Sequence, residues 1–563
     1  MKRRLGIFAC YLGESGNVDE YILFLLREMR KYVAALAIVC NGEISGEGKE
    51  VFNSLAEVTI VRANEGFDAC AWQCAMRDVL GWEQVQSFDE LILFNDSFFG
   101  PIYPLDKIFE KMDGKNDFWG LTCHYQAEDV LGLCPYGYLP DHIQTYFLVI
   151  DSRMLKSTAF CKYWDSLPKF KNFNEVVRLH EAVFTRYFAD MGYTWGIVAD
   201  NDIFARRMGK NLNPYICEPY RLLTEYGVPI LKKKNFSMPL RYFLGSTSGN
   251  EMYRSLEYIS KYTNYDTNII WDYILRHFHI SDIYTVLGLS FVIGDQPEKN
   301  IANSILNRAV IVVSIKEIAQ LNFLRSRLCC VPKEINIIVI CEDENVIKIL
   351  QKEQRKIEIV HLEQIDNDFI SLLQTILPYI EVYDYICILP LHIEDDDCFS
   401  SSLEKKELVW DNILGSQQYI LNLIALMEDH PRMGVAFPPV PVYGTYMDNI
   451  FDRWKRSFSA LKTVCQQLEI IVPLAKEKQP IMLGNAFWCR RQALLSLGKV
   501  LGKKSYLRGK LGGDVLEEAM ARIIPFAAQQ AGFYSAGIMN PRQAIIEARN
   551  SKYMLEILAA NAQ

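Results

Sequence analysis

Hydrophobic positions along the chain fall into short apolar runs separated by helically spaced stretches, and the alternation occurs twice. The first pass has apolar runs at residues 5–11, 34–40, 58–61 and 90–94. A loop at 13–17 and a helical pattern over 18–32 follow the first run, and Asn41-Gly42 closes the second. Helical spacing over 69–80 follows the third, and Asn95-Asp96-Ser97 closes the fourth. Strand, helix, strand with short loops predicts a mostly parallel, Rossmann-like sheet with right-handed crossovers. Such sheets bind ligands where the carboxyl ends of the strands meet the loops, so the chemistry is expected there.

The second pass opens with AVIVVSI at 309–315, then a helical 316–328 and runs at 335–341, 357–362 and 383–391. The last runs into His392, Ile393, Glu394, Asp395, Asp396 and Asp397. Each pass places an acidic or amide cluster after about its fourth strand, which reads as a duplicated architecture without a residue-level repeat. Between the passes, 228–296 carries LKKKNF, several tyrosines and an amphipathic 268–278, the pattern of a helical linker or small subdomain. The expected organisation is an α/β domain over 1–227, a helical linker region over 228–300 and a second α/β domain over 301–563.

Composition narrows the class. At roughly 150 residues per domain, the length predicts about three to four domains. Half the residues are hydrophobic and 23% charged, so the chain is globular rather than disordered. Sixty Lys and Arg against 68 Asp and Glu leave a net charge of −8, which argues against a nucleic-acid partner. Fifteen scattered cysteines without a C-x-x-C pair fit a reducing cytosol. The opening MKRRLGIFACYLGESG imitates a signal peptide, but its apolar run is short and flows into Gly13, Glu14 and Ser15, so it reads as a first buried strand. No stretch approaches the ~18 to 20 apolar residues of a membrane span. Membrane contact is then peripheral, through basic and aromatic clusters: Lys232, Lys233 and Lys234 with Phe236; Arg453, Trp454, Lys455 and Arg456; or Lys503 and Lys504 with Tyr506, Arg508 and Lys510. The alternatives are solvated patches or grips for an acceptor's phosphates.

A parallel sheet with an acidic motif after a mid-sheet strand is the way GT-A-type nucleotide-sugar glycosyltransferases hold a diphosphate. Two carboxylates, or a carboxylate and an amide, ligate a hard divalent cation such as Mg2+ or Mn2+, which neutralises the leaving group. Asn95-Asp96-Ser97, Asp200-Asn201-Asp202 and the run Asp395, Asp396, Asp397 all qualify, and all are also ordinary turn sequences.

More specific are FDELILFNDSFFGP at 88–101, DFWGLT at 117–122, HIQTYFLVID at 142–151 and HEAVFTRYFADMGY at 180–193. With VPILKKKNF at 228–236, MGVAFPP at 433–439, PIMLGNAFWCRRQAL at 480–494 and RIIPF at 522–526, the chain resembles the rhamnan synthesis protein F family of bacterial polysaccharide glycosyltransferases. The resemblance implies two GT-A-like domains. It also implies transfer of L-rhamnose from dTDP-L-rhamnose to a lipid-linked acceptor, in cell-wall or surface polysaccharide synthesis at the cytoplasmic side of the membrane.

On this reading Asp96 binds the donor diphosphate directly or through a metal, and Asn95 and Ser97 shape its loop. Glu181 is the candidate general base of an inverting transfer; the competing reading is a carboxylate placed at a helix start for its electrostatics. Tyr146 either stacks on a sugar ring or belongs to a buried strand, and His180 either steers the acceptor or fills surface. In the second domain Asp395, Asp396 and Asp397 form either a metal site or a solvated turn. Where a glutamate is expected just before the RIIP run the chain has Ala521, with Glu517 and Glu518 about one helical turn earlier as possible substitutes. Transfer of a different sugar, or a non-catalytic scaffold role in polysaccharide assembly, are the alternative functions.

Overall fold

A computed structural model describes residues 2–199, 213–315, 318–362, 369–390, 399–440, 454 and 457–561. The chain divides into two compact units, Met1–Tyr273 and Ile274–Gln563, and each holds its own hydrophobic core. Of the stretch read as a linker, residues 228–273 fold with the first unit and 274–300 with the second.

The strands of the first unit are β1 (Arg4–Tyr11), β2 (Ala35–Asn41), β3 (Val58–Arg62), β4 (Glu90–Asn95), β5 (Phe98–Phe99), β6 (Phe118–Gly120), β7 (Cys123–His124), β8 (His142–Ile143), β9 (Phe147–Asp151), β10 (Trp195–Ile197) and β11 (Leu231–Lys232). Seven form one sheet in the order β10-β6-β9-β4-β1-β2-β3. β1, β2 and β4 are almost wholly buried, which is why they read as unbroken apolar runs rather than alternating ones. Leu5, Ile7 and Ala9 of β1 share a core with Trp72, Met76 and Phe184. The helix Glu20–Met29 buries Tyr21, Ile22, Leu25, Leu26 and Met29, spaced to fall on one face. Each such side chain contributes roughly 1.5–3 kcal/mol on full burial.

At the amino end of the sheet lies a buried ion cluster. Glu90 accepts from Arg4 Nε at 2.6 Å and Lys2 Nζ at 2.5 Å, while Arg4 Nη2 reaches Asp113 at 3.0 Å. The opposite, carboxyl end is left for the site.

The second unit has β12 (Ser290–Val292), β13 (Ala309–Ile315), β14 (Asn336–Cys341), β15 (Glu358–His361), β16 (Tyr385–Pro390), β17 (Met433–Phe437), β18 (Phe487–Arg490) and β19 (Tyr534–Met539), in the order β12-β19-β17-β18-β16-β13-β14-β15. When the main strands are counted in chain order from β1 and from β13, both sheets read 3-2-1-4-6-5-7, with β12 an added edge. The duplication expected from the hydrophobic pattern therefore extends to strand order. Both sheets are parallel-rich, and in each the sixth strand, β9 or β18, runs antiparallel to both neighbours. A purely parallel reading of the pattern misses this, because periodicity marks a strand but carries no direction. Among the described residues no helix is long and apolar enough to cross a membrane. Asp395, Asp396 and Asp397, and likewise Asp200, Asn201 and Asp202, lie outside the described residues.

Candidate functional site

β4 ends at Asn95, and the next two residues form a tight polar turn. Asn95 Oδ1 accepts from Ser97 N at 3.1 Å and Ser97 Oγ at 2.6 Å, the side-chain-to-backbone closure that makes Asn-x-Ser a turn. Its amide Nδ2 donates to Asp68 Oδ2 at 2.8 Å. Asp68 stands in the first turn of the helix Phe67–Gln73, entered through Gly66 at φ 71° and Phe67 at φ 55°. A non-glycine residue held there is strained, and Asn41 Nδ2 donating to Phe67 O at 3.1 Å helps to hold it. Burial raises the Asp68 pKa, with Glu181 adding to the shift.

Two lysines close on this turn. The short antiparallel ribbon of β5 and β11 sets Lys232 opposite Phe98. Lys232 Nζ donates to Ser97 Oγ at 2.7 Å and lies 3.7 Å from the centroid of the Tyr146 ring. Lys233 Nζ donates to Asp96 Oδ2 at 3.1 Å and to the Tyr21 hydroxyl at 2.5 Å, and that hydroxyl donates to Asp96 O at 3.0 Å. Burial pushes Lys232 down to about 7, against the opposing pull of Glu181. Burial also works against the charge on Lys233, but Asp96 and Tyr273 outweigh it and its pKa is raised.

This placement corrects the reading of Lys232, Lys233 and Lys234 as a membrane-facing cluster. Lys232 is only 8% exposed and Phe236 is fully buried, so only Lys234 faces solvent. Trp454 is likewise buried, which removes the aromatic anchor of the second cluster; Arg453, Lys455 and Arg456 lie outside the described residues. In the third cluster Tyr506, Arg508 and Lys510 are exposed.

Glu181 does not start a helix. It closes the π-helical turn Val177–Glu181, which joins the helices Phe173–Val176 and Ala182–Asp190 into one rod. Capping electrostatics therefore do not explain it, and π-turns inside helices recur at functional sites. Its Oε2 accepts from Thr145 Oγ1 at 2.8 Å and Thr145 N at 3.2 Å, and Oε1 lies 3.9 Å from His142 Nε2. The carboxylate is 24% exposed and close enough to Lys232, Asp68, Tyr146 and Tyr215 to influence their protonation.

Two expected contact residues are buried. Tyr146 is buried, its hydroxyl shares a 2.6 Å hydrogen bond with Thr122 Oγ1, and Lys232 sits over its ring. Its ring face is covered by the lysine. His180 is a core residue, 1% exposed, with Nδ1 3.0 Å from the Tyr163 hydroxyl and with Trp164, Phe170 and Phe184 around it. Burial pushes its pKa down to about 4. The sequence reading missed Asp68, Tyr21 and the inward turn of the two lysines. The apolar Val228-Pro229-Ile230-Leu231 ahead of them was the available signal, since an apolar run entering LKK marks a strand that goes inside.

The model of the rhamnan synthesis protein F family matches residues 36–532. The chain belongs to this family. No curated protein matches it. Among solved structures it is similar to the apo-form glycosyltransferase GlyE of Streptococcus pneumoniae TIGR4, at 12% identity and a TM-score of 0.22, covering 72% of this chain and 90% of that one. It is also similar to a putative nucleotide-diphospho-sugar transferase of Desulfovibrio desulfuricans G20, at 15% identity and a TM-score of 0.21, covering 40% of this chain and 96% of that one. Core-mannan synthase A of Aspergillus fumigatus, in a Mn/GDP form, matches at 11% identity and a TM-score of 0.17, covering 29% of this chain and 63% of that one.

For this member of the family, the side chains at the turn test the expectation of a divalent cation. Asp96 Oδ2 is engaged by Lys233 and Tyr21, both Asn95 side-chain atoms are engaged, and Asp68 Oδ1 accepts from its neighbour Ala69 N at 2.9 Å. Among the described residues no group of three or more His, Cys, Asp or Glu is arranged to hold a metal. Asp96 Oδ2 thus already holds an ammonium group, Lys233 Nζ, together with the Tyr21 hydroxyl. In the second unit Glu517 Oε1 accepts from Phe369 N at 2.8 Å, the first residue of the helix Phe369–Ile380, and so has a capping role. Glu518 Oε2 is buried and has no hydrogen-bond partner among the described residues.

Proposed function

We propose that the chain is an inverting rhamnosyltransferase built from two GT-A-like domains, in which the first unit binds dTDP-L-rhamnose and passes the sugar to a lipid-linked saccharide. Glu181 takes the proton from the acceptor hydroxyl as its oxygen bonds to the anomeric carbon. The bond from that carbon to the diphosphate breaks, and its electron pair leaves with the nucleoside diphosphate. Asp96, with Asn95 and Ser97, forms the donor loop. Thr145 holds Glu181 in place by its two hydrogen bonds.

Family membership supports glycosyl transfer in rhamnan synthesis. The single observation that carries the site assignment is a carboxylate on a π-turn that has no capping role and lies within electrostatic reach of the buried lysine of the donor loop. The acceptor is lipid-linked on this reading, so the protein works against the inner face of the plasma membrane, with Tyr506, Arg508 and Lys510 as the exposed basic and aromatic residues available for contact.

The test is incubation of the purified protein with a panel of nucleotide sugars and a lipid-linked oligosaccharide acceptor. Rhamnose incorporation from dTDP-L-rhamnose is expected. Incorporation from another donor alone would replace the sugar assignment, and no transfer or donor hydrolysis with any of them would favour a scaffold subunit.

A further inference from the structure

Lys232 is a buried lysine with no carboxylate partner among the described residues. Among the described residues no carboxylate lies within ion-pair distance of its Nζ; it has one hydroxyl partner, Ser97, and the ring faces of Tyr146 at 3.7 Å and Tyr215 at 5.4 Å. An ammonium group has three donors to satisfy, and removing it from water without an anion is strongly unfavourable. Packing does not require a lysine here, since a leucine or methionine would fill the ribbon without that penalty. Lys233 beside it does have an anion, Asp96, but Asp96 is shared with Tyr21, so its carboxylate fixes the position of the ammonium against the donor loop. Tyr21 and Tyr273 each present a ring 4.7 Å from Lys233 Nζ and shield it from water.

We propose that Lys232 and Lys233 hold the diphosphate of the nucleotide-sugar donor, supplying the positive charge that a divalent cation supplies in the arrangement expected from the sequence. The assignment rests on the glycosyltransferase reading of the first unit and adds to it which groups receive the leaving charge. As the bond between the anomeric carbon and the diphosphate oxygen breaks, that oxygen gains the electron pair. Lys232, with donors to spare, meets it by a charge-assisted hydrogen bond. The site is positioned before the donor arrives, because Ser97, Asp96 and the surrounding tyrosines already fix both Nζ atoms, and a bound diphosphate favours the charged form of Lys232. No ion has to be recruited for charge neutralisation.

The test is binding of nucleoside diphosphates (dTDP, UDP and GDP as probes) to the full chain by calorimetry, in EDTA and again with Mn2+. Binding in EDTA should be comparable to binding with Mn2+. Lys232→Met and Lys233→Met should each weaken it by about 10- to 100-fold, the loss of one charge-assisted hydrogen bond, while Lys234→Met, at an exposed position, leaves it unchanged. Lys232→Arg, which keeps the charge, should retain more affinity than Lys232→Met, and thermal denaturation of each variant confirms that it is folded. Binding that depends on Mn2+, or that survives Lys232→Met and Lys233→Met, overturns the lysine assignment and leaves the transferase reading standing. If none of the three nucleotides binds in either condition, the transferase reading falls and the lysine assignment with it.

Discussion

Glu181 accepts two hydrogen bonds from Thr145 and, among the described residues, has no lysine or arginine within ion-pair distance. A glutamine there keeps an oxygen for Thr145 but cannot take a proton. Glu181→Gln is therefore expected to lower the rate of transfer by about 10²- to 10⁴-fold, with nucleoside diphosphate affinity and melting temperature near the parent values. Turnover preserved in the folded fraction, with only the melting temperature reduced, would return Glu181 to a structural role. Lys232 makes the opposite kind of prediction. Burial pushes its pKa in the folded protein down to about 7 from the ordinary 10.5, with Glu181, Lys233, Asp68 and Asp96 as the charged groups acting on it after burial itself. Between those two values the unfolded chain binds a proton that the folded chain does not, so this group's contribution makes stability rise with pH across that window. Below about 7 the folded state carries the charge at its full penalty. Lys232→Met should thus raise the melting temperature, by at least about 2–4 °C if the relief is ~1 kcal/mol, and more at pH 6 than at pH 9. A melting temperature lowered at both pH values would mean that the lysine is there for packing.

The two ends of the first sheet have been given different tasks, and the elements show how. At the amino end, Glu90 on β4 is nearly inaccessible and pairs with both Lys2 and Arg4, so removing it takes the buried carboxylate from Arg4 Nε and leaves Lys2 with Asp151 and Arg4 Nη2 with Asp113. Breaking a buried pair of this kind costs about 3–5 kcal/mol. Glu90→Ala should lower the denaturation midpoint by a corresponding amount, while the folded fraction binds nucleoside diphosphate as before; loss of binding in folded protein would show that the two ends are not independent. Much of this architecture was legible in the sequence. The runs at 34–40 and 58–61 became Ala35–Asn41 and Val58–Arg62, and helical spacing at 18–32 became Glu20–Met29, because buried parallel strands and one-faced helices leave strong hydrophobic signatures. Features without such a signature were not. The direction of β9, the π-turn at Val177–Glu181 and the two-residue ribbon of β5 and β11 depend on long-range pairing or on one inserted residue. The site followed the same division. Asn95, Asp96 and Ser97 close a strand that the pattern locates, whereas Lys232 and Lys233 come from a residue pair 135 or more positions away in sequence. Exposed and buried lysines look alike in a sequence, so their charge was assigned to the surface.

At the scale of the molecule, the repeated strand order 3-2-1-4-6-5-7 gives each unit an equivalent carboxyl end of its sheet, and the described side chains differ between the two. The first unit surrounds its fourth-strand turn with a buried lysine and a lysine–aspartate pair. Among the described residues of the second unit, Arg522 is the only buried lysine or arginine; it lies within the helix Gly513–Gln530 and donates to the backbone oxygen of Glu518 one turn before it. Glu517, one of the two carboxylates about one turn before Ala521, is engaged with the start of another helix. A protein with an overall charge of −8 also repels a nucleoside diphosphate, so tight binding needs a local concentration of positive charge such as the first unit provides. Calorimetric titration of the full chain is therefore expected to give one nucleoside diphosphate per chain, and Lys232→Met should weaken that one site rather than reveal another. A stoichiometry of two, with half the heat surviving Lys232→Met, would assign a working donor site to the second unit as well, and would direct attention to Asp395, Asp396 and Asp397 after its fourth strand.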